Sequence, residues 1–210
     1  VVGHGTSTIT IDGVESLTGQ DYAVIPDRVE AGTLMIAAIM TQGDVTINSV
    51  VPNHLEPLIR KLKESGIDMT INDDSIRIHP VSQFNAVDIE TLPFPGFPTD
   101  MQAQMMFLLC IANGTSILKE SIFENRFMHA HELMRMGADI KLDKNHAVIT
   151  GVKQLLGAEV QITDLRAGAA LILAGLVAKG ETQVYGLSHL RRGYEDLPSK
   201  LKALGARIVD

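Results

Sequence analysis

The sequence has no tryptophan, one cysteine and few aromatic side chains, with three tyrosines and six phenylalanines among 210 residues. Basic residues are outnumbered, because 18 lysines and arginines stand against 25 aspartates and glutamates, for a formal net charge of −7. Nucleic-acid-binding proteins usually present a basic face and aromatic stacking platforms, so this composition argues against a nucleic-acid partner. A single cysteine cannot form an internal disulfide, which is typical of a reducing compartment, and we expect a cytoplasmic protein.

Long hydrophobic segments and cofactor-binding motifs are also absent from the sequence. The longest nearly uncharged apolar run covers residues 167–178 and is shorter than the roughly 20 residues that cross a bilayer. There is no P-loop, no dinucleotide fingerprint and no Cys/His cluster, so we expect no cofactor, no metal and no membrane partner. With 45% apolar and 20% charged residues, the chain is predicted to fold around a core of ordinary size.

Three copies of a Leu-x-x-x-Gly tract indicate an internal repeat. The glycine of each tract lies 23 to 25 residues after another glycine, and each tract follows a helix-like segment. Each unit also contains a helix that is apolar almost all round, which predicts that this helix is buried. The tracts end at Gly66, Gly137 and Gly205, and the buried helices are predicted at 29–40, 101–112 and 165–178.

Strand-like segments and a second helix complete each unit in the order βαβαββ. The opening strands are predicted at 22–25, 86–89 and 159–162, and the second strands at 45–50, 116–123 and 182–187. The closing hairpins are predicted at 67–71 with 76–79 and at 138–142 with 147–150. The pattern therefore predicts an α/β fold of three βαβαββ repeats around a pseudo-threefold axis, with the apolar helices in its interior.

The two ends of the chain do not fit complete units. The first residues resemble a closing hairpin, and the sequence stops before a hairpin could complete the third unit. We expect residues 1–18 to close a preceding domain that is mostly absent, and residues 19–210 to form one domain of three repeats. The alternative is a native domain with an additional N-terminal hairpin. The repeats are expected at about 19–84, 85–156 and 157–210.

Polar residues begin the buried helices, where a purely structural helix would not need them. Aspartate and threonine can act as N-caps, but an arginine there opposes the helix dipole and indicates a carboxylate or a bound anion nearby. Two more arginines, Arg126 and Arg192, each follow a repeat glycine by 12 residues; the alternative for them is an ordinary surface salt bridge. The polar helix starts contain Asp27, Arg28, Thr99, Asp100, Asp164 and Arg166.

Five long strings in the sequence carry a family resemblance. They are IPDRVEAGT at 25–33, FPTDMQAQ at 97–104, FENRFMH at 123–129, TDLRA at 163–167 and RGYE at 192–195. Together they closely resemble the bacterial UDP-N-acetylglucosamine 1-carboxyvinyltransferases, a family of enolpyruvyl transferases. The resemblance runs in order over essentially the whole chain. The sister family, 5-enolpyruvylshikimate-3-phosphate synthase, shares the fold but not these strings.

The resemblance implies a two-domain enzyme that transfers the enolpyruvyl group of phosphoenolpyruvate to the 3-hydroxyl of UDP-N-acetylglucosamine, the first committed step of peptidoglycan synthesis. It implies that Asp100 contacts that hydroxyl and accepts its proton, and that Ile122 binds the UDP-sugar through its backbone. It also implies that Arg192 meets phosphoenolpyruvate. It also assigns Arg126, Asp164 and Arg166 to the substrate cleft, and we expect Arg28, Thr99 and Phe123 to bind substrate there as well.

One departure from the family concerns its reactive cysteine, which the resemblance places in the other domain. Cys110 lies instead inside the second apolar helix, and we expect a packed, inert thiol. The 210 residues alone are therefore expected to lack activity and to need the N-terminal domain as a partner. The alternatives are a non-catalytic binding or regulatory module on the same fold, and another enolpyruvyl transferase.

Overall fold

The structure is a computed structural model that describes residues 1–4 and 6–209. The helices are α1 (Arg28–Met40), α2 (Glu56–Glu64), α3 (Gln102–Leu109), α4 (Met128–Arg135), α5 (Leu165–Val177), α6 (Leu187–Leu190) and α7 (Leu197–Ala203). The strands are β1 (Val45–Asn48), β2 (Met69–Ile71), β3 (Ser75–Ile78), β4 (Ile89–Glu90), β5 (Thr115–Lys119), β6 (Asp139–Asp143), β7 (His146–Thr150), β8 (Glu159–Gln161) and β9 (Gln183–Tyr185). Within the described residues, no helix is both long and apolar enough to cross a membrane.

Helices α1, α3 and α5 pack against one another and form the interior of the protein. Every side chain of α3 is buried, and α1 and α5 bury most of theirs, because these helices offer no polar face to water. A short 3-10 turn, Thr99–Met101, leads into α3. The prediction of three buried helices is confirmed, although α3 ends at Leu109 and the chain continues as turns to residue 112.

A small sheet packs against each central helix. The first sheet has the order β1-β3-β2, the second has the order β4-β5-β7-β6, and the third is the pair β8-β9. The opening and second strands of the last two repeats pair in parallel, and the hairpins of the first two pair in antiparallel. The α/β fold class with repeated units is therefore confirmed.

The repeats also share the way in which their surface helices end. Helices α2, α4 and α7 are each followed by a glycine in the left-handed region, at Gly66 (φ 91°), Gly137 (φ 91°) and Gly205 (φ 102°). A side chain is disfavoured at such a φ, so glycine is the residue that can end the helix in this way. The Leu-x-x-x-Gly tracts thus mark the same structural position three times.

The predicted opening strand of the first repeat, 22–25, is not formed. Tyr22 and Ile25 are exposed, and β1 has no parallel neighbour, unlike β5 and β9. A short apolar run such as 22–25 favours a strand, but the strand forms only where a partner supplies backbone hydrogen bonds. Of the predicted N-terminal hairpin, the described residues contain one antiparallel bridge, between Val2 and Thr10.

Candidate active site

Two of the three central helices begin with an aspartate cap, and the third does not. Asp27 and Asp164 each accept two backbone N–H groups of the following turn, at 2.7 to 3.3 Å. Capping therefore explains these two aspartates. Thr99 and Asp100 cap neither the 3-10 turn nor α3, for which no side-chain cap bond is formed. The polar residues before α3 thus need another explanation.

Asp100 lies beside two arginines at the beginning of α3. Arg126, from the loop before α4, donates from Nη2 to Asp100 Oδ1 at 3.2 Å, and Arg166 Nε lies 3.7 Å from the same oxygen. Arg126 also donates from Nη1 to Thr99 Oγ1 at 2.8 Å. The Asp100 side chain is 41% exposed, and no hydrogen bond from the described residues reaches its Oδ2. Four predicted site residues therefore form one cluster with an excess of positive charge.

A cavity of about 130 Å³ opens next to this cluster. Its walls include Arg28, Thr99, Asp100 and Ile122, and its remaining wall is the proline-rich loop at 92–98. Ligand sites in proteins usually measure about 300–1,000 Å³, so this cavity has room for part of a ligand only. The lining combines a carboxylate and a guanidinium with apolar side chains. Such a lining suits a ligand that has a polar group next to a flat apolar face.

Phenylalanine rings lie beside two of the arginines, Arg28 and Arg126. The Arg28 guanidinium carbon lies 5.8 Å from the centroid of the Phe94 ring, and that of Arg126 lies 4.8 Å from the centroid of the Phe123 ring. Such cation–π contacts restrict long side chains that would otherwise move freely in water. Phe123, predicted to belong to the substrate cleft, is half-exposed and contacts the cluster through Arg126.

Glu120 is a buried carboxylate that the sequence analysis missed. Its side chain is 2% exposed, and it accepts hydrogen bonds from the hydroxyls of Thr91 and Thr99 and from the backbone N–H groups of Ile122 and Phe123. The signal in the sequence is the period-two pattern of strand β5, which, continued by one residue beyond the strand, places Glu120 on the same inward side as Leu118.

A hydrogen-bonded group of three side chains joins helices α1 and α3 to the turn after α6. The Tyr194 hydroxyl lies 2.9 Å from Thr33 Oγ1 in α1 and accepts from Gln104 Nε2 in α3 at 3.0 Å. The Arg166 guanidinium carbon lies 5.7 Å from the centroid of the Tyr194 ring. Burial raises the pKa of the Tyr194 hydroxyl, which therefore stays protonated at neutral pH. The group links the RGYE string to the Asp100 cluster through Arg166.

Arg192, also predicted to bind substrate, lies outside the cluster. It is exposed in the turn that follows α6, and its side chain forms no ion pair or hydrogen bond with other described residues. Tyr194, two residues later in the chain, is buried in the core. Arg192 is therefore connected to the site only through the chain that leads to Tyr194, and its direct role in substrate binding stays a prediction.

Two titratable side chains are fully buried in the protein, His129 in α4 and Cys110 at the end of α3. Burial lowers the pKa of His129 to about 4; the charge of Asp164 opposes this shift, and the charge of Arg126 adds to it. Burial raises the pKa of the Cys110 thiol to about 12, and Cys110 Sγ donates to the Met106 carbonyl at 3.2 Å. Cys110 is thus a packed, protonated thiol, as predicted from its apolar helix.

Comparison with known families decides the assignment. The profile of the EPSP synthase (3-phosphoshikimate 1-carboxyvinyltransferase) family matches residues 1–201. The chain belongs to the EPSP synthase family. Among solved members, the enolpyruvyl transferase NikO from Streptomyces tendae superposes with a TM-score of 0.80 at 29% identity, over 88% of this chain and 44% of that one. EPSP synthase from Acinetobacter baumannii superposes with a TM-score of 0.66 at 17% identity, over 90% of this chain and 44% of that one, which shows the shared fold.

Curated relatives within the EPSP synthase family are more similar in sequence. UDP-N-acetylglucosamine 1-carboxyvinyltransferase 1 of Caldanaerobacter subterraneus subsp. tengcongensis is 54% identical over 208 residues, which cover 99% of this chain and 50% of the relative. UDP-N-acetylglucosamine 1-carboxyvinyltransferase of Desulfofundulus thermocisternus is 54% identical over 209 residues, which cover 99% of this chain and 86% of the relative. The resemblance carried by the five strings is confirmed. The chain spans about half the length of most of the relatives it matches.

Proposed function

We propose that the protein containing this chain transfers the enolpyruvyl group of phosphoenolpyruvate to the 3-hydroxyl of UDP-N-acetylglucosamine. A bond forms between the sugar oxygen and C2 of phosphoenolpyruvate, the bond from C2 to the phosphate oxygen breaks, and the hydroxyl proton leaves with inorganic phosphate as the second product. The observation that carries this proposal is the Asp100 cluster. It lies in a chain that is 54% identical to relatives named UDP-N-acetylglucosamine 1-carboxyvinyltransferase.

Asp100 is the proposed acceptor of the hydroxyl proton. Its carboxylate borders the cavity, and Arg126 holds it through Oδ1. Because no described residue donates to Oδ2, that oxygen is available to a ligand hydroxyl. A positioned general base of this kind typically contributes about 10²–10⁴ in rate.

The arginines are the proposed binding groups for the anionic substrates. Guanidinium groups bind carboxylates and phosphates through paired N–H donors, and phosphoenolpyruvate carries both kinds of anion. Arg126 and Arg166 already contact a carboxylate, and Arg28 lines the cavity. We assign Arg192 to phosphoenolpyruvate, and Thr99, Ile122, Phe123 and Asp164 to the UDP-sugar side of the site.

The chain supplies one part of this enzyme in our proposal. Residues 19–210 form the C-terminal domain, residues 1–18 close a preceding domain, and the reactive cysteine belongs to that other domain. The 210 residues alone are then inactive, and the whole protein acts in the cytoplasm in cell-wall synthesis, on which cell shape and division depend. The supporting fact is that the chain spans about half of most curated relatives.

Two acceptor substrates distinguish this proposal from its alternatives. Release of inorganic phosphate from phosphoenolpyruvate is measured for the whole protein with UDP-N-acetylglucosamine or with shikimate 3-phosphate. We expect release with the UDP-sugar only, and none from the 210-residue chain by itself. Release with shikimate 3-phosphate only would indicate another enolpyruvyl transferase. Tight binding of the UDP-sugar without release would indicate a binding module.

A further inference from the structure

Glu120 joins three segments that surround the cavity. One carboxylate oxygen, Oε1, accepts from Thr91 Oγ1 at 2.7 Å, from Ile122 N at 2.9 Å and from Phe123 N at 3.2 Å. The other, Oε2, accepts from Thr99 Oγ1 at 2.9 Å. These partners come from the residue after strand β4, the loop after β5 and the 3-10 turn before α3.

The Glu120 carboxylate accepts four hydrogen bonds, and each of its four partners is a donor. A carboxylate offers only acceptors. No cation contacts this carboxylate among the described residues, so hydrogen bonds alone compensate its removal from water. A neutral amide in its place would turn an N–H donor toward Thr99 Oγ1, so that this hydroxyl would have to accept from it and could no longer donate to it. The site therefore depends on the charge at this position as well as on its size.

Glu120 also determines the direction of the next hydrogen bond. The Thr99 hydroxyl has one proton and gives it to Glu120, so Thr99 Oγ1 presents only lone pairs to Arg126. Arg126 Nη1 donates to that oxygen at 2.8 Å, and its Nη2 donates to Asp100. The orientation of the guanidinium beside Asp100 thus follows from a carboxylate that contacts neither of them.

We propose that Glu120 is a positioning residue, which fixes the Ile122–Phe123 backbone and orients Arg126 through Thr99. The inference rests on the proposed function, because the groups that it positions are those assigned to the UDP-sugar and to Asp100. Glu120 itself contacts no substrate, since its carboxylate is buried and fully occupied by protein donors. Its effect is therefore carried by Thr99 on one side and by two backbone N–H groups on the other.

A double-mutant cycle in the whole protein tests the route through Thr99. We expect Glu120→Gln and Thr99→Val each to lower kcat/KM for UDP-N-acetylglucosamine about tenfold, and the double variant to lose about tenfold rather than about a hundredfold. Thr99→Ser, which keeps the hydroxyl, should restore most of the loss. The matched control is Glu90→Gln, because Glu90 binds Ser121 and Lys119 nearby but does not contact Thr99; its kcat/KM should be unchanged.

Two kinetic results would overturn the positioning role. One is multiplicative loss in the double variant, since it would mean that Glu120 and Thr99 act independently. The other is a Glu120→Gln enzyme that matches the Glu90→Gln control. A wild-type protein without turnover would refute the proposed function, and hydrogen exchange then decides the present inference. We expect Glu120→Ala to speed exchange of the Ile122 and Phe123 amides at least about tenfold relative to Glu90→Ala, and equal rates would contradict it.

Discussion

Removing one hydroxyl, in Tyr194→Phe, should destabilise the protein measurably. The hydroxyl is buried, in a residue that is 4% exposed, and it makes two hydrogen bonds, with Thr33 and Gln104. The substitution leaves Gln104 Nε2 bonded to Thr33 Oγ1 at 3.2 Å, and Thr33 still donates to the Val29 carbonyl, so no group loses every partner.

The expected loss is therefore that of two ordinary hydrogen bonds. Each is worth about 0.5–1.5 kcal/mol, so Tyr194→Phe should lower the free energy of unfolding by about 1–3 kcal/mol. The assay is urea unfolding followed by far-UV circular dichroism, in which the midpoint should fall while the slope stays the same.

The matched control is Tyr185→Phe. Tyr185 is 48% exposed, and its hydroxyl binds Gln183 Oε1 at 2.9 Å on the surface, where water can replace the bond. Its loss should change the free energy of unfolding by less than about 0.5 kcal/mol. Equal midpoints for Tyr194→Phe and Tyr185→Phe would refute the claim that the buried group stabilises the contact of α1 and α3 with the turn after α6.

Two further predictions concern buried titratable side chains. Cys110 should resist alkylation at pH 8 in the native protein, because its thiol pKa is about 12, and Cys110→Ser should cost about 1–3 kcal/mol of stability; rapid labelling would show that the thiol is accessible. His129 should weaken the protein in acid. Its pKa is about 4 in the folded protein and about 6.5 in an unfolded chain, so the unfolded state binds the extra proton, and about 2 kcal/mol is lost between pH 7.5 and 5. The loss over this range should be smaller by that amount in His129→Gln, and parallel pH profiles would contradict the assignment.

The central helices could be predicted from the sequence because their signals are local. An apolar pattern around the whole helix and a glycine at each repeat boundary are visible in a window of a few residues. The opening strand at 22–25 could not be decided in this way, because a strand depends on a partner that is distant in sequence. Its apolar run is present, but β1 has no neighbour on its outer edge.

The candidate site was predictable as a set of residues but not as a geometry. The helix starts identified Asp100 and Arg166, and the equal spacing from glycines identified Arg126. Both arginines contact Asp100 Oδ1 because of the way α3, α4 and α5 pack. This contact is not visible in the sequence, since Arg126 lies 26 residues after Asp100. Glu120 could not be predicted from the helix starts, because this carboxylate follows a strand and its partners are distant in the sequence.

The same geometry separates two interpretations of Asp100 that the sequence left open. If Asp100 were an N-cap, asparagine would replace it with little effect, because the two residues rank together as caps. The structure forms no cap bond there, and the carboxylate contacts Arg126 instead. An asparagine oxygen can still accept from Arg126, so the position of the side chain should survive the substitution while its basicity does not.

The most direct test of the proposed chemistry is therefore Asp100→Asn in the whole protein. We expect turnover to fall by about 10²–10⁴, because the amide cannot accept the hydroxyl proton, and the calorimetric Kd for UDP-N-acetylglucosamine to stay within about tenfold. Asp88→Asn is the matched control: Asp88 is exposed outside the site, and its Oδ1 accepts from Ile117 N at 2.7 Å, a bond that asparagine can keep. Near-normal turnover of Asp100→Asn, equal to that of Asp88→Asn, would contradict the assignment of Asp100 as the proton acceptor.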